Sequence, residues 1–412
     1  MDQQQPFVLD PAGSNIHAEA DKLRGSGPAV RVILPGGIPA WYITSHVLLK
    51  ALLTDDRVSK DPNQHWPAWM NGEHHDTWIS NWVGVTNMFT AYSTGHRRLR
   101  KLIAPAFTAR RTTTMKPRIE GITQTLLDAM AALPHGESVD LKAAYAHPLP
   151  MQVICDLYGL PHDSRPDMAR LVSRIFDTTI TPEQAAATHG EIHAVLTELV
   201  ALKRRAPGDD MTSVLVASRD EDGSHLSEGE LLDTLLLIIS AGHETTVNLI
   251  GNAVHALLTH PEQLHLLRTG DASWNAVIEE TLRWSPSIAN LPLRYAVDDI
   301  HVSGGPTINK GDAILATYAA AGHDPDQHGP TARQFDITRL TPEHLAFGHG
   351  VHHCLGAPLA RLEAATALPA LFDRFPDLTL AAPADSLQPV DSFISDGLRS
   401  LPVHLRKAPP AD

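Results

Sequence analysis

Residues 347–356, FGHGVHHCLG from Phe347 to Gly356, set one cysteine between glycine-bearing turns and the start of a helical pattern. Gly348, Gly350 and Gly356 are expected to permit turns that side chains would forbid, so that backbone N–H groups can point at the sulfur of Cys354. The following LGAPLARLEAATALPALF reads as a helix, whose N-terminal dipole favours a negative sulfur. A thiolate held in this way can be the axial ligand of a haem iron and push electron density toward O–O cleavage. Two blander readings compete. A lone cysteine is commonly a small buried hydrophobe, which suits Cys155 in the apolar MQVICDLYGL. His344, His349, His352 and His353 could also join Cys354 around zinc. Against that, the adjacent His352, His353 and Cys354 diverge along a backbone, and structural zinc prefers spaced, paired ligands with more than one cysteine.

Composition bounds the rest. The 412 residues contain no linker, repeat or low-complexity tract, so one large domain is expected over 1–412. Hydrophobic residues at 43% suffice for a deep core, and 31 prolines with 27 glycines imply many short connections. Two cysteines exclude a disulfide framework and fit a reducing compartment. The opening MDQQQPFVLDPAG lacks the features of a signal peptide, and no run approaches the roughly 20 apolar residues of a membrane span, so a cytoplasmic protein is expected. A net charge of −14 disfavours nucleic acid and anionic membranes as partners. Residues 97–118 reverse that sign: Arg97, Arg98, Arg100, Lys101, Arg110, Arg111, Lys116 and Arg118 occur with no Asp or Glu.

Ser227 followed by Glu230 forms a capping box, after which an apolar-periodic run continues to Pro261. The pattern predicts one long helix, about 48 Å at 1.5 Å per residue, buried through the middle of the molecule. At its centre lies AGHETT. Gly242, the β-branched Thr245 and Thr246, and the charged Glu244 all weaken a buried helix, and such local costs often mark function. The alternative is that Thr245 bonds a carbonyl one turn back and Glu244 reaches solvent.

The cysteine segment resembles the cytochrome P450 signature F-G-x-G-x-H-x-C-x-G, matched by Phe347, Gly348, Gly350, His352, Cys354 and Gly356. Ala241, Gly242, Glu244, Thr245 and Thr246 are similar to that family's [AG]-G-x-[DE]-T-[ST] element at an oxygen-binding kink. The resemblance implies a mainly α fold with small β-sheets, the cytochrome P450 fold: a sheet-containing part over about 1–60, then a helical body with the haem site over about 61–412. It implies haem b (iron protoporphyrin IX) on Cys354, with Thr245 hydrogen-bonding dioxygen and Glu244 relaying protons. His96, Arg100, Arg294 and His352 would hold the haem propionates. Glu280 and Arg283 in VIEETLRW, with Arg339, match the E-x-x-R element and its third member, a structural lock. Electrons would come from NAD(P)H through a separate reductase and a ferredoxin, for which the basic stretch 97–118 offers a docking face. The protein is expected to work as a monomer.

The same family places the substrate pocket between Trp82, Met88 and Phe89, Phe176 to Thr179, Ala241, Ile288 to Leu291 (with Ala289 and Asn290), and Phe393 with Ile394. Trp66, Trp69 and Trp78 belong to the same tryptophan-dense stretch and could equally complete the core. The lining implied is apolar, with Asn290 and Thr179 as polar contacts, and suits a rigid lipophilic molecule. Blocks such as NMFTAY, FDTTITPE and NLPLRYAV look like the actinomycete steroid-hydroxylating group, which implies hydroxylation of a steroid, in the D ring at C16. A macrolide or other polyketide is the competing substrate, and a haem sensor or a zinc hydrolase the competing class. One departure from relatives is AAAGHDP, where His323 precedes Asp-Pro.

Overall fold

A computed structural model describes residues 6–406 apart from 135, 162, 164, 176–180 and 221. The helices that carry the site are α1 (Ser93–Ile103), α2 (Pro148–Tyr158), α3 (Arg165–Ile175), α4 (Pro182–Arg205), α5 (Glu228–Thr259), α6 (Trp274–Trp284) and α7 (Ala357–Arg374). α5 begins where the capping box places it: the Ser227 hydroxyl accepts from the Glu230 N–H, and the Glu230 carboxylate accepts from the Ser227 N–H. It ends at the expected proline, Pro261 opening the next helix. Leu235, Ile239, Ile250, Ala253 and Leu257 are fully buried, and helices pack on several of its faces, as an all-round apolar helix requires.

The mainly α body is joined by small sheets. The largest combines β1 (Phe7–Val8), β2 (Ala29–Leu34), β3 (Ile38–Ile43), β4 (Val58–Ser59), β5 (Asn290–Ala296) and β6 (Ala313–Thr317) in the order β1-β2-β3-β6-β5-β4. β3 pairs parallel to β6, with Trp41 opposite Ile314, and β6 pairs antiparallel to β5, with Asn290 opposite Thr317. The sheet assigned by sequence to the first 60 residues is therefore completed by strands from 290–317, and its pairings tie the N-terminal part into one domain. A register shift between Leu291 and Arg294 lets this strand present both residues to the interior that contains the site. No helix among the described residues is long and apolar enough to cross a membrane.

The tryptophan-dense stretch divides its labour. Trp66 and Trp69 are core residues, stacked on each other with centroids 6.1 Å apart, and Trp66 also stacks on Tyr295. Trp78 meets Phe393 edge-on, leaving Trp82 to face the cavity described below. His323 is accommodated by donating from Nε2 to the Trp284 carbonyl, 2.7 Å away, and by stacking on His17. A carbonyl can only accept, so the Nε2 of His323 carries the proton.

Candidate active site

The loop before α7 is fixed by its own backbone. The Cys354 N–H donates to Phe347 O at 2.9 Å, the Gly348 N–H to Leu345 O at 2.7 Å, and the His353 N–H to Gly350 O at 3.0 Å. Gly348 and Gly350 both have φ +71°, and a Cβ on Gly350 would sit 2.8 Å from Leu53 O, so glycine is required there on two counts. Gly356 is a correction: its φ of −80° is open to any residue, and a Cβ would meet only Cys354 Sγ in ordinary contact at 3.7 Å. Its contribution is its N–H, which with that of Ala357 reaches the sulfur at the start of α7. Burial pushes the thiol upward, while these two N–H groups and the charges of Arg100 and Arg361 favour the thiolate.

Two adjacent glutamates of α6 anchor separate ion-pair networks, and that of Glu279 braces this loop. Glu279 accepts from Arg361 at 2.6 and 2.8 Å and lies 3.0 Å from His344 Nε2, and the Arg361 guanidinium covers the Phe347 ring at 4.6 Å. Burial alone would raise Glu279, but these hydrogen bonds and charges hold its carboxyl at about 2. Glu280 and Arg283, 1% and 0% exposed, form a two-pronged ion pair at 2.6 and 2.8 Å. Arg339 approaches Glu280 to 3.4 Å, and Arg283 spends its remaining donors on the carbonyls of Gly322, Ala332 and Gln334. The three residues of the E-x-x-R element thus share one buried network.

Above the sulfur lies a cavity of about 250 Å³, partly open to solvent. Phe347, Gly348, His352, Cys354 and Gly356 form one wall, and His96, Arg100 and Arg294 point in from others. The sequence reading missed two neighbours. Lys60 is 3% exposed and lies over the Phe89 ring, and Tyr318 shares a hydrogen bond with Arg294. Burial drives Lys60 well below the usual lysine range and His96 down to about 4, and it lowers His352 and Arg294 as well. Arg294 Nε and His96 Nε2 are enclosed without a hydrogen bond. Glu363, the one carboxyl among the described residues of these walls, is pushed up by burial toward its neutral form. Several buried cations and donors facing one space without an anion are costly unless the occupant is negative. Iron protoporphyrin IX, with a metal for the thiolate and two carboxylates for this cluster, fits the donor set. The zinc grouping does not form: among the described residues no three of His344, His349, His352, His353 and Cys354 converge.

The opposite wall is α5. It is helical without interruption through AGHETT, so the kink implied by the family element is absent as a break in the helix. Gly242 packs closely on α2, where a Cβ would stand 2.6 Å from Ile154 Cδ1 and displace the end of that side chain. Thr245 lines the cavity while its hydroxyl donates to Ala241 O at 2.6 Å, leaving its oxygen lone pairs available. Glu244 is largely buried. Its side chain is 13% exposed and lies 3.7 Å from Lys142 Nζ, which also donates to Leu398 O. Nothing in the spacing of Lys142 and Glu244 announces this pair.

A second chamber of about 170 Å³ shares Phe89, Leu237, Ala241, Thr245, Ile288 and Leu291 with the first, so the two are continuous. Trp82, Phe89, Ala241 and Leu291 line it, and Met88 lines the lower chamber. Four expected wall residues, Ala289, Asn290, Phe393 and Ile394, line neither. Asn290 Nδ2 donates to Phe393 O at 2.6 Å and the Ala289 N–H to Ile394 O at 2.8 Å, which makes them the buttress behind the wall. Alternation along a strand explains it, for Asn290 must point away from the face that Leu291 presents. Phe176 and Thr179 lie outside the described residues. Walls that the sequence did not suggest come from α4 and the α5 face above it, including Thr188, Ile192 and Leu236.

The basic stretch is less free than its sequence implies. Arg98 pairs with Glu230, Arg111 with Asp209, Lys116 with Glu120 and Arg118 with Asp156. Arg100 turns inward, its Nη2 donating to His353 O at 2.8 Å. Arg97, Lys101 and Arg110 remain exposed.

The Cytochrome P450 family profile matches residues 274–391. The chain is 42% identical over 402 residues to the 2-hydroxy-5-methyl-1-naphthoate 7-hydroxylase of Streptomyces carzinostaticus, covering 97% of this chain and 98% of that protein. Among solved structures, CYP154A1 from Streptomyces coelicolor A3(2) superimposes with a TM-score of 0.91 at 54% identity, covering 97% of this chain and all of that one. Testosterone-bound CYP154C4 from Streptomyces sp. ATCC 11861 does so with a TM-score of 0.94 at 43% identity, covering 98% and 99%. Similarity of this degree, running through whole chains and including the thiolate loop and its facing helix, makes this chain a bacterial member of the cytochrome P450 family and a monooxygenase.

Proposed function

We propose that the protein hydroxylates an unactivated C–H bond of a rigid lipophilic molecule, with a steroid as the preferred substrate and its D ring, at C16, as the point of attack. Iron protoporphyrin IX, once bound, supplies the activation of O2, drawing two electrons from NAD(P)H through a reductase and a ferredoxin. Cys354 would hold the iron, and His96, Arg100, Arg294 and His352, joined by Lys60, would hold the propionates. The observation that carries the reading is the continuity of an apolar upper chamber with the space above Cys354. Its walls leave a substrate few polar contacts, so placement follows shape, and a bound apolar body excludes water from the reacting bond.

Thr245 and Glu244 take the catalytic roles. The Thr245 oxygen, its own proton engaged by Ala241 O, accepts a hydrogen bond from the cavity and so steadies a proton-bearing group there. Glu244 passes protons inward from the Lys142 side. Arg97 and Arg110 contribute to the reduced docking face for an acidic ferredoxin. The protein acts as a cytoplasmic monomer, a setting that suits two free thiols.

A steroid is favoured by the testosterone-bound CYP154C4, the neighbour with the TM-score of 0.94. A second reading has its own support. Arg174 lines the upper chamber and would pair with an acidic substrate, and one relative is named for a naphthoate. Macrolides stand beside it, since a relative 38% identical is named 6-deoxyerythronolide B hydroxylase. The test is a titration of the ferric protein with testosterone, followed at the haem Soret band. A saturable low-spin to high-spin shift is expected. A Soret band that testosterone never moves, while 2-hydroxy-5-methyl-1-naphthoate or a macrolide moves it, would transfer the assignment to the second reading.

A further inference from the structure

Away from the haem chamber, His189 and His193 of α4 meet Asp233 of α5 above the outer end of the upper chamber. Their ligand atoms all lie within 4.8 Å of one another. The two histidines are four residues apart, which places both imidazoles on one face of a helix, 4.4 Å between centroids. His193 Nε2 is shut off from solvent yet makes no hydrogen bond, and it stands 3.5 Å from Asp233 Oδ1. Tetrahedral ligands about 2.1 Å from a zinc ion lie roughly 3.4 Å apart, so His193 and Asp233 already hold that separation. Only His189 has to close in, and it is an exposed side chain with room to turn.

We propose that His189, His193 and Asp233 form a binding site for a first-row divalent metal of the Zn2+ class, which staples the roof of the substrate chamber to the central helix. Two imidazoles and one carboxylate make a ligand set suited to such ions, and a fourth position stays open toward the chamber that His189 lines. The second carboxylate oxygen of Asp233 is already engaged, accepting from the Thr86 N–H at 2.9 Å, and Asp233 O accepts from Asn87 Nδ2 at 3.2 Å. Those contacts orient the carboxylate as outer hydrogen bonds do for metal ligands. They also bring a third element into the staple, the segment that carries Trp82 and Phe89. A bound ion would therefore link α4, α5 and the 82–89 segment, three of the elements that enclose the chamber. The site uses neither haem ligand nor oxygen-handling residue, so it stands or falls apart from the substrate assignment.

The experiment is calorimetric titration of Zn2+ into the haem-loaded, chelator-stripped protein, alongside H189A, H193A and, as a control for the other histidines of this His-rich chain, H265A. The wild type and H265A are expected to bind one Zn2+ per chain more tightly than any remaining ions. H189A and H193A each weaken that event by about tenfold or more. Because His189 is exposed, H189A tests the site even if H193A disturbs packing. Isotherms of H189A and H193A that overlay the wild type would overturn the site. Hydrogen exchange then tests the staple. Zn2+ should slow exchange in α4 of the wild type and not of H193A, and Zn2+ binding without that protection would overturn the clamping role.

Discussion

The floor of the cofactor chamber and the roof of the substrate chamber rest on different physics. On the floor, the charges that hold the cysteine loop and α6 have appointed partners: Glu279 with Arg361 and His344, Glu280 with Arg283 and Arg339, the thiol of Cys354 with two backbone N–H groups. Buried charges tolerate little freedom, because a missing partner leaves an ion uncompensated. The roof is made of Trp82, Phe89, Ile192, Leu236 and Leu291, whose contacts are non-directional and whose identities can be exchanged at constant volume. One region specifies chemistry, the other shape.

Breaking the floor should therefore cost most. R283A leaves the buried Glu280 with only the longer contact to Arg339 and is expected to destabilise the fold by about 3–5 kcal/mol, read as a lower urea midpoint. An R283A midpoint equal to wild type would mean that the network is solvated and the contrast false. E279Q should cost about 2–3 kcal/mol at neutral pH, less than a full conversion of the shift because Arg361 is 36% exposed. The sign follows from the depressed carboxyl. Its stabilisation is complete above the ordinary glutamate value of 4.5 and disappears as pH falls toward about 2. Acid titration of stability should accordingly be steeper in the wild type than in E279Q over that interval. Parallel curves would remove the brace from the account.

T245A should leave cofactor content and the substrate-induced Soret shift intact while lowering product formed per NAD(P)H consumed by about tenfold. Unchanged coupling would reduce Thr245 to the helix-bonding role that its contact with Ala241 O already allows. On the roof, L291V removes one methylene from a wall and should weaken substrate binding by about 0.8 kcal/mol, or a few-fold in Kd from Soret titration. A loss comparable to R283A would show that the roof is as closely specified as the floor.

The same contrast governs what the sequence discloses. Cys354, its glycines and the AGHETT segment are legible because a thiolate turn and a polar break in a buried helix demand particular residue types at short spacing. The capping box at Ser227 and Glu230 likewise marks the start of α5 within four residues. Lys60 and Lys142 are illegible for the opposite reason. Each reaches its partners across the fold, Lys142 meeting Glu244 from another element with no local pattern to betray it. Asn290 and Leu291 show a subtler limit: the right strand was read, but strand alternation sends only one of the two to the chamber. The basic run 97–118 looked unpaired because its carboxylates, such as Glu230 and Asp156, lie on other helices.

The central claim is that Cys354 is the thiolate ligand held by this floor, and the absorption spectrum of the reduced, CO-bound protein tests it most directly. The wild type should show the red-shifted Soret band of a thiolate-ligated haem, and C354H, which offers an imidazole in the same turn, should retain haem but lose that band. A CO spectrum identical in wild type and C354H would contradict the account, since the iron would then take its axial ligand from elsewhere.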